Sequence, residues 1–537
     1  MNLIDQHTKK IMEECKVRAR DAGLSFDDET LEYIVTNRDM LELSPKTMIP
    51  TLYDYWVNDV EVLKGIGKYK LFPTNPYETV INSRPAISFY NDNNPDWLNI
   101  MIFYHVLAHI DFFQNNIFFE HTWGDDFVGQ ALADKRMIAN FRSEYGRWVD
   151  YVIEFSRGID NLVGYFSIIA KRNFPSEKNV TERLSFYFDV FLQQVEQVPQ
   201  HVLFNEVGRF NAMLKSNPDM GDSAFFADVK KKYPEFQALY ERYLKKPTRE
   251  YHDIIEYIML YSPYLNKDEN EWMKSVISIV RNTALYFAPQ IRTKTINEGW
   301  ASYWHDKLFR LDERISGYES SYAKVNAGVT SISRVGLNPY AIGLRLIEYI
   351  RDLADKGKLS RYYQNIHDIQ LREKFDKGHG KGDEIIFKLR QYFTDFTLFN
   401  TFIDQDFVDM HELFVTGRRL NQQRGTIEYY VKSRKAEDYK KMLLDSLYHP
   451  PKIYVDTEKT EEKKLCLVHE FEGKELYKPF IGDTMLGIEF LWGGEVQLET
   501  TNIVKKTLGP PGNQKTTYEN VKVIYTMKDR KISARKI

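Results

Sequence analysis

Two short stretches far apart in the chain carry the side chains best suited to chemistry. In the first, His105 and His109 lie four positions apart, so a helix would project both imidazoles from one side. One helix with this spacing can give two ligands to a metal ion. In the second, Glu298 and His305 lie seven positions apart, which again is one side of a helix. Because a carboxylate and an imidazole in apolar surroundings need partners, we expect the two stretches to meet in one polar site, and we interpret it as a metal site.

The spacing of the histidines alone leaves two interpretations open. Such a pair also arises by chance, and both imidazoles could be core side chains bonded to the backbone. In zinc peptidases with the H-E-x-x-H motif the general base directly follows the first histidine, whereas Val106 stands there in this chain. A bound metal would then need Glu120, Asp111 or His305 to move a proton. Without such a base, the metal would be structural or would only bind a ligand.

Composition and charge place the chain among ordinary globular proteins. Of its 537 residues, 43% are apolar and 28% are charged, and the formal net charge of -3 gives no argument for a nucleic-acid partner. The two cysteines are too few for a disulfide framework, and the N-terminus lacks an apolar stretch of signal-peptide length. The most apolar segment, Trp97 to Phe119, is interrupted by polar side chains, which favours a buried helix over a membrane span. We therefore expect a cytoplasmic protein with no nucleic acid and no membrane span.

The spacing of apolar residues divides the first three quarters of the chain into two parts. Residues 1–45 are expected to form two amphipathic helices, the second starting near Ser25. Residues 46–422 are expected to form a mainly helical large domain with a short β-hairpin over residues 77–90. A polar stretch near 176–250 is interpreted as an exposed insertion in this domain.

After residue 423 the period changes from that of a helix to that of strands. Residues 423–504 have the order βαββαβ, which is typical of a small α+β domain of the ferredoxin-like type. Residues 505–537 are basic and contain one candidate strand, Val521 to Thr526. We interpret this last part as an appendage to the small domain.

Several motifs resemble the stage V sporulation protein R (SpoVR) family of bacteria. They are the histidine-bearing segment 105–116, the segment N-E-G-W-A-S-Y-W-H at 297–305, N-P-Y-A-I-G at 338–343 and Y-E-T-V-I-N at 77–82. The likeness spans roughly residues 50–350, with a looser one through the C-terminal domain. The resemblance implies a cytoplasmic bacterial protein linked to formation of the spore cortex, which is peptidoglycan. It does not imply a particular reaction.

The second stretch is also similar to the helix of gluzincin-type metallopeptidases that supplies a glutamate as third zinc ligand. This likeness implies His105, His109 and Glu298 as ligands of zinc or another divalent metal. It makes His305 a fourth ligand or a donor to the transition state. The missing glutamate after the first histidine departs from the gluzincin pattern, so the ligand set transfers more readily than the catalysis.

These observations lead to two hypotheses about function. The leading one is a metal-dependent, amide-hydrolase-like protein of peptidoglycan metabolism, in which Glu120 or His305 is the catalytic proton carrier. The alternative is a non-catalytic regulator or scaffold, which binds a cell-wall protein or a wall precursor and docks through the ferredoxin-like domain. Val106 favours the alternative, while the Glu298 and His305 face favours the enzyme. In either case four side chains are expected to contact the bound peptidoglycan-related ligand: Asn116, Asn297, Trp300 and Tyr303.

Overall fold

The structure is a computed structural model, and it describes residues 2–36, 39, 78–122, 127–164, 181–196, 198, 200–217, 220–245, 251–333, 336–421, 425–508 and 515–537. Within these ranges the chain is mainly helical and has three small β-sheets. The expected fold class, mainly α with a smaller strand-containing part at the C-terminus, is confirmed at this level.

The N-terminal segment adds strands to the predicted hairpin. In chain order the elements are β1 (Asn2–Leu3), α1 (Gln6–Asp21), β2 (Thr30–Val35), β3 (Glu78–Ile81) and β4 (Ala86–Asn91). The strands lie in the order β1-β2-β4-β3, with β3 antiparallel and β2 parallel to β4. The hairpin is therefore confirmed. The prediction of a second amphipathic helix is wrong over Thr30–Val35. This segment, T-L-E-Y-I-V, is rich in β-branched and aromatic residues and forms a strand that pairs with β4. Residues 40–45 lie outside the described residues.

Helix α2 (Asp96–Asn115) runs through the larger hydrophobic core. Every residue from Leu98 to Phe113 is buried, so the helix is covered on all sides. It is the predicted buried helix, and no helix among the described residues has the length and apolar character needed to cross a bilayer. A short 3-10 helix (Ile117–Thr122) connects it to α3 (Phe127–Tyr145) and α4 (Trp148–Arg157).

The predicted insertion forms helices with a core of their own. They are α5 (Glu182–Ser185, continued as a π-helix over Phe186–Val195), α6 (Gln200–Ser216), α7 (Gly221–Lys232) and α8 (Phe236–Lys245). Their buried centre is rich in aromatic side chains, among them Phe186, Tyr187, Phe191, Phe225 and Phe236. The polar residues of this stretch therefore cover a small separate cluster.

The middle of the chain supplies the long helices that surround α2. They are α9 (Ile254–Tyr261), α10 (Glu271–Arg292), α11 (Lys294–Phe309), α12 (Glu319–Thr330) and α13 (Pro339–Asp355). Helix α11 packs against α2 and against α13. Shorter helices follow: α14 (Arg361–Gln364), α15 (Ile369–Glu373), α16 (Gly382–Tyr392), α17 (Asp395–Phe402) and α18 (Gln405–Met410). Side chains of α1, α2, α11, α13 and α16 share the larger core.

The C-terminal part has the predicted order of elements but a different topology. The elements are β5 (Val415–Asn421), β6 (Thr426–Ser433), α19 (Ala436–Ser446), β7 (Ile453–Val455), β8 (Lys464–His469), α20 (Lys478–Trp492), β9 (Glu495–Leu508), β10 (Lys515–Lys528) and β11 (Lys531–Lys536). One sheet has the order β11-β10-β9-β8-β7, while β6 pairs with β5 in a separate two-stranded sheet. The ferredoxin-like topology is therefore wrong. The first strand of the predicted unit, β6, pairs instead with the preceding strand β5. Strands that follow each other in the chain pair more often than distant ones.

The basic tail belongs to the larger C-terminal sheet. Strand β10 pairs with β9 from Lys515 to Met527, and β11 pairs with β10. The expectation of an appendage is therefore wrong. The predicted strand Val521 to Thr526 lies within β10. A second core joins this sheet and α20 to helices α4, α9 and α10 of the preceding part of the chain.

Candidate metal centre

Helix α2 places His105 and His109 on one side, inside the larger core. Both side chains are buried, with His105 5% and His109 6% exposed. Their Nε2 atoms lie 3.1 Å apart. Two unprotonated ring nitrogens at this distance repel each other, and a cation between them would remove this repulsion.

Helix α11 brings Glu298 to the same point because it crosses α13 at two glycines. An ideal Cβ on Gly299 would lie 2.3 Å from the carbonyl carbon of Gly343, and one on Gly343 would lie 2.1 Å from the carbonyl oxygen of Thr295. Any side chain at this crossing would push the helices apart. The crossing therefore fixes α11, and with it Glu298, against α2.

Two buried carboxylates hold the helices in this position. Asp395, at the first turn of α17, accepts hydrogen bonds from the backbone N–H groups of Thr295 and Ile296, both at 2.9 Å. It thereby satisfies the N-terminus of α11 in place of a residue of that helix. Burial raises the pKa of Asp395 to about 7, although these two N–H groups act in the opposite direction.

The second carboxylate, Asp111, ties α2 to three other segments. It accepts hydrogen bonds from the backbone N–H of Ser25, from Arg390 of α16 and from the indole N–H of Trp300 on α11. Burial raises the pKa of Asp111 to about 6, while Arg390 lowers it. Asp111 was one of the candidate bases, but its oxygens are engaged in holding α2, α11 and α16 together.

Three potential ligand atoms converge at the crossing of α2 and α11. Glu298 Oε2 lies 3.5 Å from His109 Nε2 and 3.8 Å from His105 Nε2. Within the described part of the chain, these three residues form the one group of histidine and acidic side chains whose ligand atoms are all within 4.8 Å of one another. Glu298 Oε2 has no hydrogen-bond donor among the described residues. A buried carboxylate oxygen without a donor is costly and requires an explanation.

The outer nitrogens of the two histidines are held by other side chains. His109 Nδ1 lies 2.9 Å from Asn297 Oδ1, and His105 Nδ1 lies 2.9 Å from His305 Nδ1. His305 Nε2 in turn lies 3.0 Å from Oδ1 of Asn326 on α12. Metal-bound histidines in proteins have this arrangement, in which the second ring nitrogen is fixed by an acceptor behind the ligand.

Burial keeps the rings of His105 and His305 in their neutral form. It lowers the pKa of His105 well below the ordinary value, and the adjacent His109 and His305 act in the same direction. Burial also lowers the pKa of His305 to about 4, although the hydrogen bond with Asn326 raises it. Neutral imidazole is the form that binds metals.

Comparison with known proteins places the chain in a family. Residues 3–449 match the family described as SpoVR like protein. The chain belongs to the SpoVR family. This SpoVR chain is 23% identical over 333 residues to a protein of Escherichia coli (strain K12) named uncharacterized protein YcgB. The match covers 59% of this chain and 58% of that protein, which is less than two thirds of its length. No solved structure matches the chain.

The structure separates the predicted site residues of this SpoVR protein into two sets. His105, His109, Glu298, Asn297 and His305 come together as described. His305 lies behind His105, with its nearest nitrogen at the Nδ1 side of that ring, and is not one of the three grouped ligand residues. His305 therefore does not lie at the position of a fourth ligand.

The other predicted residues of this SpoVR chain have structural contacts. Asn116 ends α2 and its Nδ2 donates to the backbone carbonyls of Arg390 and Phe393. Trp300 donates to Asp111 and is 1% exposed. Tyr303 packs against Trp304. Glu120 lies in the 3-10 helix that follows α2, is half-buried, and is not part of the three-residue group.

Sequence reasoning missed two residues at the cluster. Asn326 of α12 contacts His305, and Tyr340 of α13 stacks on His105 with ring centroids 6.1 Å apart. Tyr340 lies in the N-P-Y-A-I-G motif that carries part of the family resemblance, so that motif was a signal for it. Asn326 lies in helix α12, whose sequence has no local signal for a functional residue.

Proposed function

We propose that this SpoVR-family protein binds one divalent metal ion, with zinc as the first choice, through His105, His109 and Glu298. The observation that carries this proposal is the convergence of two Nε2 atoms and one donor-free carboxylate oxygen at distances of 3.1, 3.5 and 3.8 Å. Ligands about 2.1 Å from a tetrahedral zinc ion lie about 3.4 Å from one another. The donor set of two histidines and one glutamate is also the set found in one class of catalytic zinc sites.

The chemistry that we propose is hydrolysis of an amide bond in a peptidoglycan-related molecule of the cytoplasm. A bound zinc ion supplies Lewis acidity, which polarises a carbonyl group and lowers the pKa of water. The chain would contribute three things: it holds the ligands, excludes water around them by burial, and transfers a proton. The link to peptidoglycan rests on the family resemblance alone.

The proton carrier for this reaction follows from the surroundings of the candidate side chains. Val106 occupies the position of the usual base and is fully buried. His305 has one ring nitrogen at His105 and the other at Asn326, so neither points to an open position. Of the two predicted carriers, Glu120 therefore remains as our proposal.

A second candidate function is a metal-binding regulator or scaffold without catalysis. Two observations favour it. Val106 replaces the base, and the two histidines are almost inaccessible, with a partial opening only at Glu298, whose side chain is 17% exposed. Such a closed site resembles structural metal sites, in which no ligand position is left for a substrate.

Elemental analysis of protein purified without a histidine tag tests the metal site. We expect about one zinc ion per chain in the wild type and less than about a tenth of that in His109→Ala. The matched control is His469→Ala: His469 is 7% exposed, contacts Thr500 in the C-terminal sheet, and lies outside the cluster. Equal metal content in wild type and His109→Ala would contradict the metal site.

A cleavage assay then separates the enzyme from the scaffold. The zinc-loaded protein is incubated with a soluble muramyl peptide, and products are identified by mass spectrometry. Amide hydrolysis consumes one water and gives a new carboxylate and a new amine. We expect cleavage by the wild type and a loss of at least about a hundredfold in Glu120→Gln, which retains its zinc. A zinc-loaded wild type that binds the peptide without cleaving it would favour the scaffold.

A further inference from the structure

We propose that Asn326 sets the positions of the protons on His305 and His105, so that His105 presents a bare Nε2 to Glu298 and His109. This role makes Asn326 a positioning residue of the proposed metal site, on which the inference rests. At the far end of this hydrogen-bonded chain, charge fixes which group donates and which accepts.

Asp306 is the fixed end. Its carboxylate forms an ion pair with Arg310 at 2.9 Å and accepts a hydrogen bond from the hydroxyl group of Tyr322. It also lies 3.2 Å from Asn326 Nδ2. An ionised carboxylate can only accept hydrogen bonds, so the amide group of Asn326 must turn its Nδ2 toward Asp306. Its Oδ1 must then face His305.

The orientation of the Asn326 amide determines the tautomer of His305. Asn326 Oδ1 has only lone pairs to offer, so the nitrogen 3.0 Å away, His305 Nε2, must carry a proton. A neutral imidazole has one N–H, and His305 Nδ1 is therefore bare. This atom lies 2.9 Å from His105 Nδ1, which must then donate to it.

The tautomer of His105 determines whether its Nε2 atom can bind a metal ion. If His105 Nδ1 carries the ring's single proton, His105 Nε2 has a free lone pair directed at the cluster. The opposite tautomer would place an N–H at the ligand position and would leave two bare nitrogens in contact at 2.9 Å on the other side. Only the first pattern lets His105 bind a metal ion without a change of tautomer.

His109 has the same arrangement in a shorter form. Its Nδ1 lies 2.9 Å from Oδ1 of Asn297, one residue before Glu298, so an amide oxygen again holds the outer nitrogen. Both ligand histidines thus depend on an asparagine oxygen, directly for His109 and through His305 for His105. Hydrogen bonds of this kind behind the ligands typically change metal affinity by roughly 10- to 100-fold.

Zinc affinity, measured by competition with a chelator, tests the inference. We expect Asn326→Leu to weaken zinc binding by roughly 10- to 100-fold. A double variant, Asp306→Asn with Asn326→Asp, exchanges the amide and the carboxylate. The carboxylate at position 326 still accepts a hydrogen bond from His305, and the amide at position 306 donates one to that carboxylate. We expect this variant to bind zinc within about threefold of the wild type, because the acceptor behind His305 is retained.

Two measurements distinguish positioning from a loss of folding. Asn270→Leu removes another buried asparagine, whose Nδ2 donates to the carbonyl of Tyr264 near the second core, and should leave zinc affinity unchanged. Nuclear magnetic resonance of protein with ¹⁵N-labelled histidine reports which ring nitrogen is protonated. In the metal-free wild type we expect His305 to be protonated at Nε2 and His105 at Nδ1.

The outcomes separate this inference from the proposed function. Unchanged zinc affinity in Asn326→Leu, or a His305 ring protonated at Nδ1, would overturn the role of Asn326 while leaving the metal site in place. A wild type that binds no zinc would instead remove the proposed function, and the tautomers measured without metal would still decide whether Asn326 sets the proton positions.

Discussion

At the scale of single residues, the cluster combines groups that repel one another unless a cation is present. Glu298 Oε2 has no donor among the described residues, and the ring nitrogens nearest to it are the Nε2 atoms at 3.5 and 3.8 Å. A buried acceptor without a donor typically costs about 1–3 kcal/mol. Sites organised for a ligand are often less stable than they could be without it, and the proposed metal site would be an instance.

Glu298→Gln should therefore stabilise the metal-free protein while it weakens metal binding. The new side-chain amide can donate a hydrogen bond to the unprotonated Nε2 of His105, which the carboxylate cannot do. We expect the free energy of unfolding in urea with a chelator present to rise by roughly 0.5–2 kcal/mol. As a control, Glu313→Gln changes an exposed residue and should stay within about 0.5 kcal/mol. A metal-free Glu298→Gln protein less stable than wild type would contradict this explanation.

At the scale of elements, the site depends on how closely α11 and α13 cross. Gly299 and Gly343 let the two backbones touch, and Asp395 holds the N-terminus of α11 from a third helix. Residue Glu298 lies directly beside this crossing. A displacement of α11 by less than the width of a methyl group would move the Glu298 carboxylate relative to both histidines. The packing of the helices and the geometry of the ligand atoms are therefore coupled.

Gly343→Ala should disturb both stability and the site. Its Cβ would lie 2.1 Å from the carbonyl oxygen of Thr295 and 2.8 Å from the Cα of Gly299, which are backbone atoms that cannot rotate away. We expect a loss of roughly 1–3 kcal/mol in the free energy of unfolding, together with weaker zinc binding. The control is Gly328→Ala in α12, where a Cβ meets no atom within 4 Å. That change should stabilise the helix by roughly 0.5–1 kcal/mol. Equal effects at both positions would contradict the importance of the crossing.

At the scale of the whole molecule, the described residues form two main hydrophobic cores, and the second crosses the predicted domain boundary at residue 423. Val455, Leu465 and Trp492 of the C-terminal part are buried in the same cluster as Val152 and Val276 of helices α4 and α10. The family match ends at residue 449, before the strands of this sheet begin. The C-terminal sheet is nevertheless part of the packing of the preceding helices.

A chain truncated after residue 449 should therefore be unstable. It would expose the apolar faces of α4, α9 and α10 that the sheet and α20 cover, and large exposed apolar patches cause aggregation. We expect a loss of soluble protein and rapid limited proteolysis of these helices. Truncation after Asp529 removes β11, whose six residues are all exposed, and the single residue on either side of it, and should leave solubility and the melting temperature nearly unchanged. A well-folded protein ending at residue 449 would show that the second core is dispensable.

Local patterns in the sequence were sufficient for several elements. The apolar run around His105 determined a buried helix, the spacing of His105 and His109 determined a shared face, and the alternation around residues 77–90 determined a hairpin. These features depend on helical and strand periods, which act over a few residues. The rule that a buried charge needs partners also connects Glu298 with the histidines from the sequence alone.

Other features were decided only by the tertiary structure. Strand β6 pairs with β5 and not within the predicted ferredoxin-like sheet, and Thr30–Val35 forms a strand because it pairs with β4. Asn326 contacts His305 from a helix whose sequence has no local signal. Strand pairing and contacts between distant side chains depend on the free energy of the whole packed core. The sequence thus determined which groups could bind a cation, while the tertiary structure determined how these groups are positioned relative to one another.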